Sequence, residues 1–462
     1  MTLTLLALAA LLAYGVPATL MLDPRARGTK LAGLGFLYGS GIVFFAMLVL
    51  SIFDVPWTLP LIATIAFLLA ASFRALRVKA PLPPGEGGQR PGEGRVAGST
   101  SPLTRRSAPP SPGGRGILAI LIHAITALTL ISYAFYATLA PLCEWDFWAI
   151  WGLKARVFFE HRGLDWRFLS SEWNTFAHTD YPQLVTFNYD FIALVGGGWN
   201  DRWLGLLNVA FAIALLLVVY SVARRESSPL VAALVTLACA ATAGSRYVGL
   251  AEGALIAFGG AGVLMLRAAI VDDDESAMRH GALLLGFAAS CKNEGVALLV
   301  AVAIALTLVA RRWLLRLWPS VIIIAPWMLL RAFHHLPTDL VEGNVIARFL
   351  THLRSIGTII LDLSLTLVDP LLWVALIAGV LVLPNVARRR ERFVLLVVAI
   401  QLAFYTASYL ITPHNVHWHI STSWTRLTRH LVVPLTVVVV LALANWLVGG
   451  EDAAHAEARS EL

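Results

Sequence analysis

The sequence predicts an all-α polytopic membrane protein, and three observations carry that prediction. Of its 462 residues, 58% are hydrophobic and only 14% are charged, against roughly 25% charged in soluble chains. Mean hydropathy is +0.74. Apolar runs of helix length recur throughout, near the ~20 residues that a bilayer core requires. A soluble globule of this length lacks the polar side chains to cover its surface, and disorder demands the opposite composition. The 15 Trp and 21 Phe suit a chain with well-populated membrane interfaces. Cys143, Cys239 and Cys291 form neither a CxxC nor a zinc spacing. The net charge of +7 reads as basic cytoplasmic loops, and nucleic acid is not an expected partner.

Taken in order, residues 1–21 form a first span, because they carry no positive n-region and no A-x-A site. Apolar runs follow at about 31–53, 57–76, 117–140, 203–222, 229–245 and 250–269. Further runs occupy 281–310, 317–333, 370–386, 393–411 and 430–448. Lys292-Asn293-Glu294-Gly295 interrupts the run 281–310, which therefore reads as two short helices meeting at a polar break. The total is about 12–13 transmembrane segments. Eight prolines, nine glycines and five arginines without an aromatic residue fill 81–116, the composition of a disordered loop. That loop separates three leading spans (1–80) from a membrane module (117–448), with a tail at 449–462.

Basic clusters orient the bundle by the positive-inside rule. Arg25/Arg27/Lys30, Arg74/Arg77/Lys79, Arg105/Arg106, Arg224/Arg225, Arg311/Arg312 and Arg388 to Arg390 all fall on one side, taken as cytoplasmic. The loop and the tail are cytoplasmic on this count. The other side receives 141–201, 246–249, 334–369 and 412–428, provided that 183–197 does not cross. That segment, with Asn188, Asp190 and a Gly196-Gly197-Gly198 stop, reads as a helix at or dipping into the outer interface.

Polar residues collect on this outer side. Glu144 and Asp146, flanked by tryptophans, stand where a bilayer-edge carboxylate is costly unless paired or functional. Residues 147–159 read as an interfacial helix, with Trp148, Trp151, Ala155 and Phe158/Phe159 on its apolar face and Lys154 on another. His178-Thr179-Asp180-Tyr181-Pro182 follows. Glu252 opens an apolar run and calls for a cation, Arg246 being the nearest in sequence. Lys292 and Glu294 mark a break that lines a cavity. Arg426 and Arg429 are three apart and share a helical face; as outer arginines they run against the orientation rule, and anion binding accounts for them. The His414, His417 and His419 spacing matches no established metal motif, so no cofactor is implied, although a divalent cation is compatible.

In order and sidedness these features resemble the GT-C superfamily of membrane glycosyltransferases, nearest to the bacterial protein O-mannosyltransferase and lipid A aminoarabinose transferase group. The likeness rests on the Glu144/Asp146 acidic motif, the interfacial helix after it, a His178–Pro182 element like the family's His-Pro-Pro segment, and the Lys292–Gly295 break, and it covers about 117–448. The three leading spans lie outside it. The acidic motif is Glu-Trp-Asp rather than adjacent carboxylates, and Thr179-Asp180 replaces the first proline.

The resemblance implies a GT-C-like bundle with outer interfacial helices in a bacterial inner membrane. It implies a polyprenyl-phosphate-linked sugar donor, a lipid, glycan or protein acceptor, surrounding membrane lipids, and inversion at a periplasmic site. Asp146 is the expected general base with Glu144 as orienting partner or substitute. Arg426, Arg429, Arg246 and Lys292 are the expected phosphate ligands, with Lys154 or Arg156 contributing. His178 and Asp180 are expected to hold the acceptor or the Asp146 loop, while Tyr181, Glu252, Glu294 and His419 complete the substrate-binding set. Two rivals compete. A secondary transporter would explain the broken helix and the intramembrane charge, yet no internal repeat is visible. An O-antigen ligase or polymerase would use a large outer loop such as 334–369, which carries His334, His335, Glu342, Arg348, His352 and Arg354.

Overall fold

A computed structural model describes residues 1–74, 113–241, 247–336, 338, 343–366 and 370–460. The expected loop 81–116 lies outside these up to residue 112, as do Arg77, Lys79, Arg246 and Glu342; for the tail beyond 446 only the backbone is described. Every regular element among the described residues is helical. The longer helices are α1 (Thr2–Leu22), α2 (Gly28–Ile52), α3 (Leu59–Ser72), α4 (Gly113–Leu139), α5 (Gly152–His161) and α6 (Leu184–Gly196). They continue with α7 (Leu206–Glu226), α8 (Pro229–Ala240), α9 (Glu252–Asp272), α10 (Glu275–Ala289), α11 (Asn293–Val309) and α12 (Trp318–Phe333). The last are α13 (Val345–Arg354), α14 (Ile356–Leu365), α15 (Pro370–Val382), α16 (Asn385–Ile411) and α17 (Val416–Ser460).

Eight segments among the described residues are long and apolar enough to cross a membrane, and they fall on α1, α2, α4, α7, α9, α12, α16 and α17. This is the architecture of a multi-pass all-α membrane protein. The count of full-length spans is thus lower than the twelve or thirteen segments expected from hydropathy. The remaining apolar runs fold as shorter helices, α3, α8, α10, α11 and α15, because polar or helix-ending residues cut them. Helix α9 forms the centre: its side chains are buried from Glu252 to Ala269, and it packs on α7, α10 and α17. Helix α4 is the opposite case, with Ile117, Ile120, Leu128, Ile131 and Phe135 exposed. A stripe of that kind on a helix of membrane-spanning length is a face for lipid or another apolar surface.

Ion pairs tie the basic turns together at one end of the bundle. The buried Arg267 of α9 grips Glu226 of α7 at 2.5 Å and Glu391 of α16 at 2.5 Å. Arg225 reaches Asp272 and Asp274, and Arg312 reaches Asp273. A guanidinium fork between two carboxylates satisfies its donors, which makes this buried charge tolerable.

Two details position the opposite end. Helix α6, expected at or dipping into the outer interface, is buried throughout 184–194, wedged against α1, α2 and α5. The break at Lys292 is where the sequence placed it, between α10 and α11. There Gly295 lets the two helices touch, since a β-carbon at this position would stand 2.0 Å from the Ala288 carbonyl oxygen. Backbone cannot yield as a side chain can, so Gly295→Ala should cost about 1–3 kcal/mol as overpacking. The expected result is a lower unfolding temperature in detergent for the variant than for wild type; an unchanged temperature would mean that the helices separate freely.

Candidate functional site

Four distant segments bring their polar residues together at the end of α9 opposite the Arg267 cluster. The first is the turn before α5. Residues Phe147–Trp151 form a π-helical turn, a feature common at functional sites. Gly152 permits it, because a β-carbon there would lie 2.7 Å from the Phe147 ring. The wider turn shifts the helical register, and the expected apolar face is corrected accordingly. Trp148 is 62% exposed, whereas Trp151, Lys154, Ala155 and Phe158 share one buried face at i, i+3, i+4 and i+7. Lys154 therefore points into the protein.

The second segment is the loop 178–182. Lys154 Nζ donates to the His178 carbonyl at 2.9 Å and lies 4.8 Å from the Trp151 ring and 5.7 Å from the Tyr181 ring. His178 takes a left-handed φ of 46°, and its imidazole stacks on Tyr181 at 4.7 Å. Asp180 is buried; its Oδ2 accepts from Asn293 Nδ2 at 2.9 Å and meets Arg331 at 3.3 Å, and its carbonyl accepts from Trp327 Nε1 at 3.2 Å. Asp180 thus clamps this loop to α11 and α12, where the expectation was contact with the acceptor or with the Asp146 loop.

The third and fourth segments are the broken helix and α17. Lys292 Nζ bonds Glu252 at 3.1 Å and Glu294 at 2.9 Å and stands 5.9 Å from the Tyr181 ring. The cation required by Glu252 is therefore Lys292, forty positions along the chain, with Arg426 Nη1 a second, 3.6 Å from Glu252; Arg246 lies outside the described residues. Arg426 Nη1 also pairs with Asp146 Oδ2, so the carboxylate that seemed to require a function in sequence also has a partner. Both side chains of this pair retain access to solvent, 24% for Arg426 and 23% for Asp146. Glu144 is exposed and has no ion pair among the described residues. Arg429 is buried a turn below Arg426. His419 bonds Thr412 at 2.8 Å and packs edge-on against Tyr409.

Sequence reading missed a wall of this cluster. Gln401 Nε2 donates to the Glu294 carbonyl at 3.2 Å, and Tyr405 OH bonds His430 Nδ1 at 2.8 Å. The signal was present: Gln401, Tyr405 and Tyr409 repeat at a spacing of four inside an apolar run, which places a polar stripe on one face. Among the described residues, no group of three or more His, Cys, Asp or Glu side chains has a metal-holding arrangement.

Burial pushes the Lys154 ammonium down to about 7, with Asp180 opposing. In the unfolded chain a lysine holds its proton to about pH 10.4. Between those values the unfolded state binds more protons, so stability rises with pH across that window. Below pH 7 the buried charge costs the folded state its full penalty. Lys154→Met should remove this rise and stabilise the protein most at pH 6–7, as read by thermal unfolding in detergent across pH 6 to 10. A slope that survives the substitution would assign the titration to another group.

The cluster joins cations able to meet an oxyanion, a solvent-reachable carboxylate able to accept a proton, and an aromatic floor of Trp151 and Tyr181. No family model, curated protein or solved structure matches the chain.

Proposed function

We propose that the protein is an integral membrane glycosyltransferase of GT-C type, moving a sugar from a polyprenyl-phosphate donor to an acceptor at the extracytoplasmic face. One observation carries this reading: Asp146, Glu252, Lys292, Glu294 and Arg426, drawn from across the chain, meet in one polar cluster at the end of the bundle away from its basic turns, with Asp180 held next to Lys292 by Asn293. A donor anchored in the bilayer must present its phosphate at such a boundary. Asp146 takes the proton from the acceptor O–H or N–H. The lone pair so freed forms the bond to the anomeric carbon, the bond from that carbon to the phosphate oxygen breaks, and its electron pair leaves on the phosphate. Arg426 and Lys292 meet that charge, and a single displacement inverts the anomeric centre.

The ligase reading draws less support. Arg348 Nε donates to the Ile411 carbonyl at 3.0 Å and His352 Nδ1 bonds the Leu410 carbonyl at 3.1 Å, so these basic residues cap the end of α16. The test is to reconstitute the purified chain in vesicles with a panel of polyprenyl-phosphate sugars. Loss of the sugar-lipid with transfer to an added acceptor is the expected result. Solute uptake without any sugar-lipid consumption would replace this reading with the transporter.

A further inference from the structure

The two cations of the cluster are already occupied. Lys292 lies between Glu252 and Glu294, and Arg426 lies between Asp146 and Glu252. Within these contacts three carboxylates surround two cations, and Asp146 occupies the Nη1 of Arg426, the more exposed of the two cations. The two arrangements differ in access. Lys292 and Glu252 are buried, at 8% and 0% side-chain exposure, whereas Arg426 and Asp146 retain about a quarter of theirs. Asp146 also sits at the edge of a short loop, at the start of the π-helical turn, while Glu252 is fixed inside α9. Glu252 has a second buried oxygen, Oε2, with no hydrogen-bond partner. It can take a guanidinium N–H of Arg426 once Asp146 leaves.

We propose that Asp146 is a displaceable counter-ion, and that the phosphate of a phosphorylated lipid exchanges with it on Arg426. Glu252 holds the guanidinium from behind, so Arg426 stays in place while Asp146 swings free. The exchange breaks no covalent bond: one ion pair, Arg426–Asp146, is replaced by another, Arg426–phosphate. Its consequence is an ordering device. The carboxylate becomes an unpaired base only when an anionic ligand has arrived, which suppresses proton abstraction in the empty site. This inference rests on the transferase reading for its lipid ligand, although the exchange itself requires only phosphate chemistry.

Exchange makes a reciprocal prediction: removing the charge of Asp146 must strengthen anion binding even as it removes the base. Asp146→Asn and Asp146→Ala should bind polyprenyl phosphate, in detergent micelles, about tenfold more tightly than wild type, within the usual span of coupling between sites. Arg426→Gln should lose that binding. Inorganic phosphate, titrated in parallel, should follow the same order at lower affinity. If wild type binds polyprenyl phosphate and both Asp146 variants bind it equally or more weakly, the exchange is refuted and the transferase reading survives. If inorganic phosphate shows the order and polyprenyl phosphate binds no variant, the exchange stands and the lipid donor falls. Binding of neither probe to any variant overturns both.

Discussion

Asp146→Asn should reduce sugar transfer by roughly 10²–10⁴-fold, the usual contribution of a positioned general base, while leaving the protein folded. Asparagine keeps the size of aspartate and can still accept a hydrogen bond from Arg426, so the loss falls on the chemical step. In kinetic terms kcat drops while KM for the donor falls or holds, the pattern of a residue whose value lies in the transition state. Glu144→Gln is the informative companion. Glu144 is exposed and lies outside the ion-pair cluster, so its substitution should alter transfer by less than about threefold, far below the effect of losing a base. Equal losses at both positions would return Glu144 to the role of alternative base.

The second large effect concerns stability. Lys292→Met should destabilise the fold by about 3 kcal/mol, the low end for breaking a buried pair, because it leaves the buried Glu252 only Arg426, at 3.6 Å, and takes the cation from Glu294. Glu252 is fully buried and Lys292 nearly so, and solvent therefore relieves little of that penalty. Glu252→Gln alone leaves Lys292 its second partner, Glu294 at 2.9 Å, and should cost less. The double variant, which removes both charges, should recover most of the loss, since replacing a buried pair with neutral groups is often close to neutral. Thermal unfolding of the three variants in one detergent measures this. A Lys292→Met loss below about 1 kcal/mol would mean that Arg426 alone compensates Glu252.

Much of this was legible in the sequence, and what was not has a physical cause. Periodic apolar runs located the helices, and the Lys292–Gly295 interruption fell between α10 and α11. The residues Asp146, Asp180, Glu252, Lys292, Glu294 and Arg426 stood out because charge in an apolar chain is costly. Their partners did not stand out. Arg426 reaches Asp146 across 280 positions, and Asp180 reaches Asn293 across 113; a single sequence holds no signal for such pairs. The charge of Lys154 argued for a separate face, whereas α-helical spacing puts it with Trp151, Ala155 and Phe158; the π-helical turn at 147–151 moves Trp148 off that face. Hydropathy registers apolar content and not helix length, so the runs that fold as the shorter helices α3, α8, α10, α11 and α15 were not told apart from the eight longer ones.

The central claim is chemical, and the release of polyprenyl phosphate tests it most directly. Wild type and Asp146→Asn are reconstituted side by side with a polyprenyl-phosphate sugar and an acceptor, and the freed lipid phosphate is counted over time. The account predicts steady release by wild type and at least a hundredfold less by the variant. Equal release by the two proteins, or none by wild type with any donor of the panel, would contradict it.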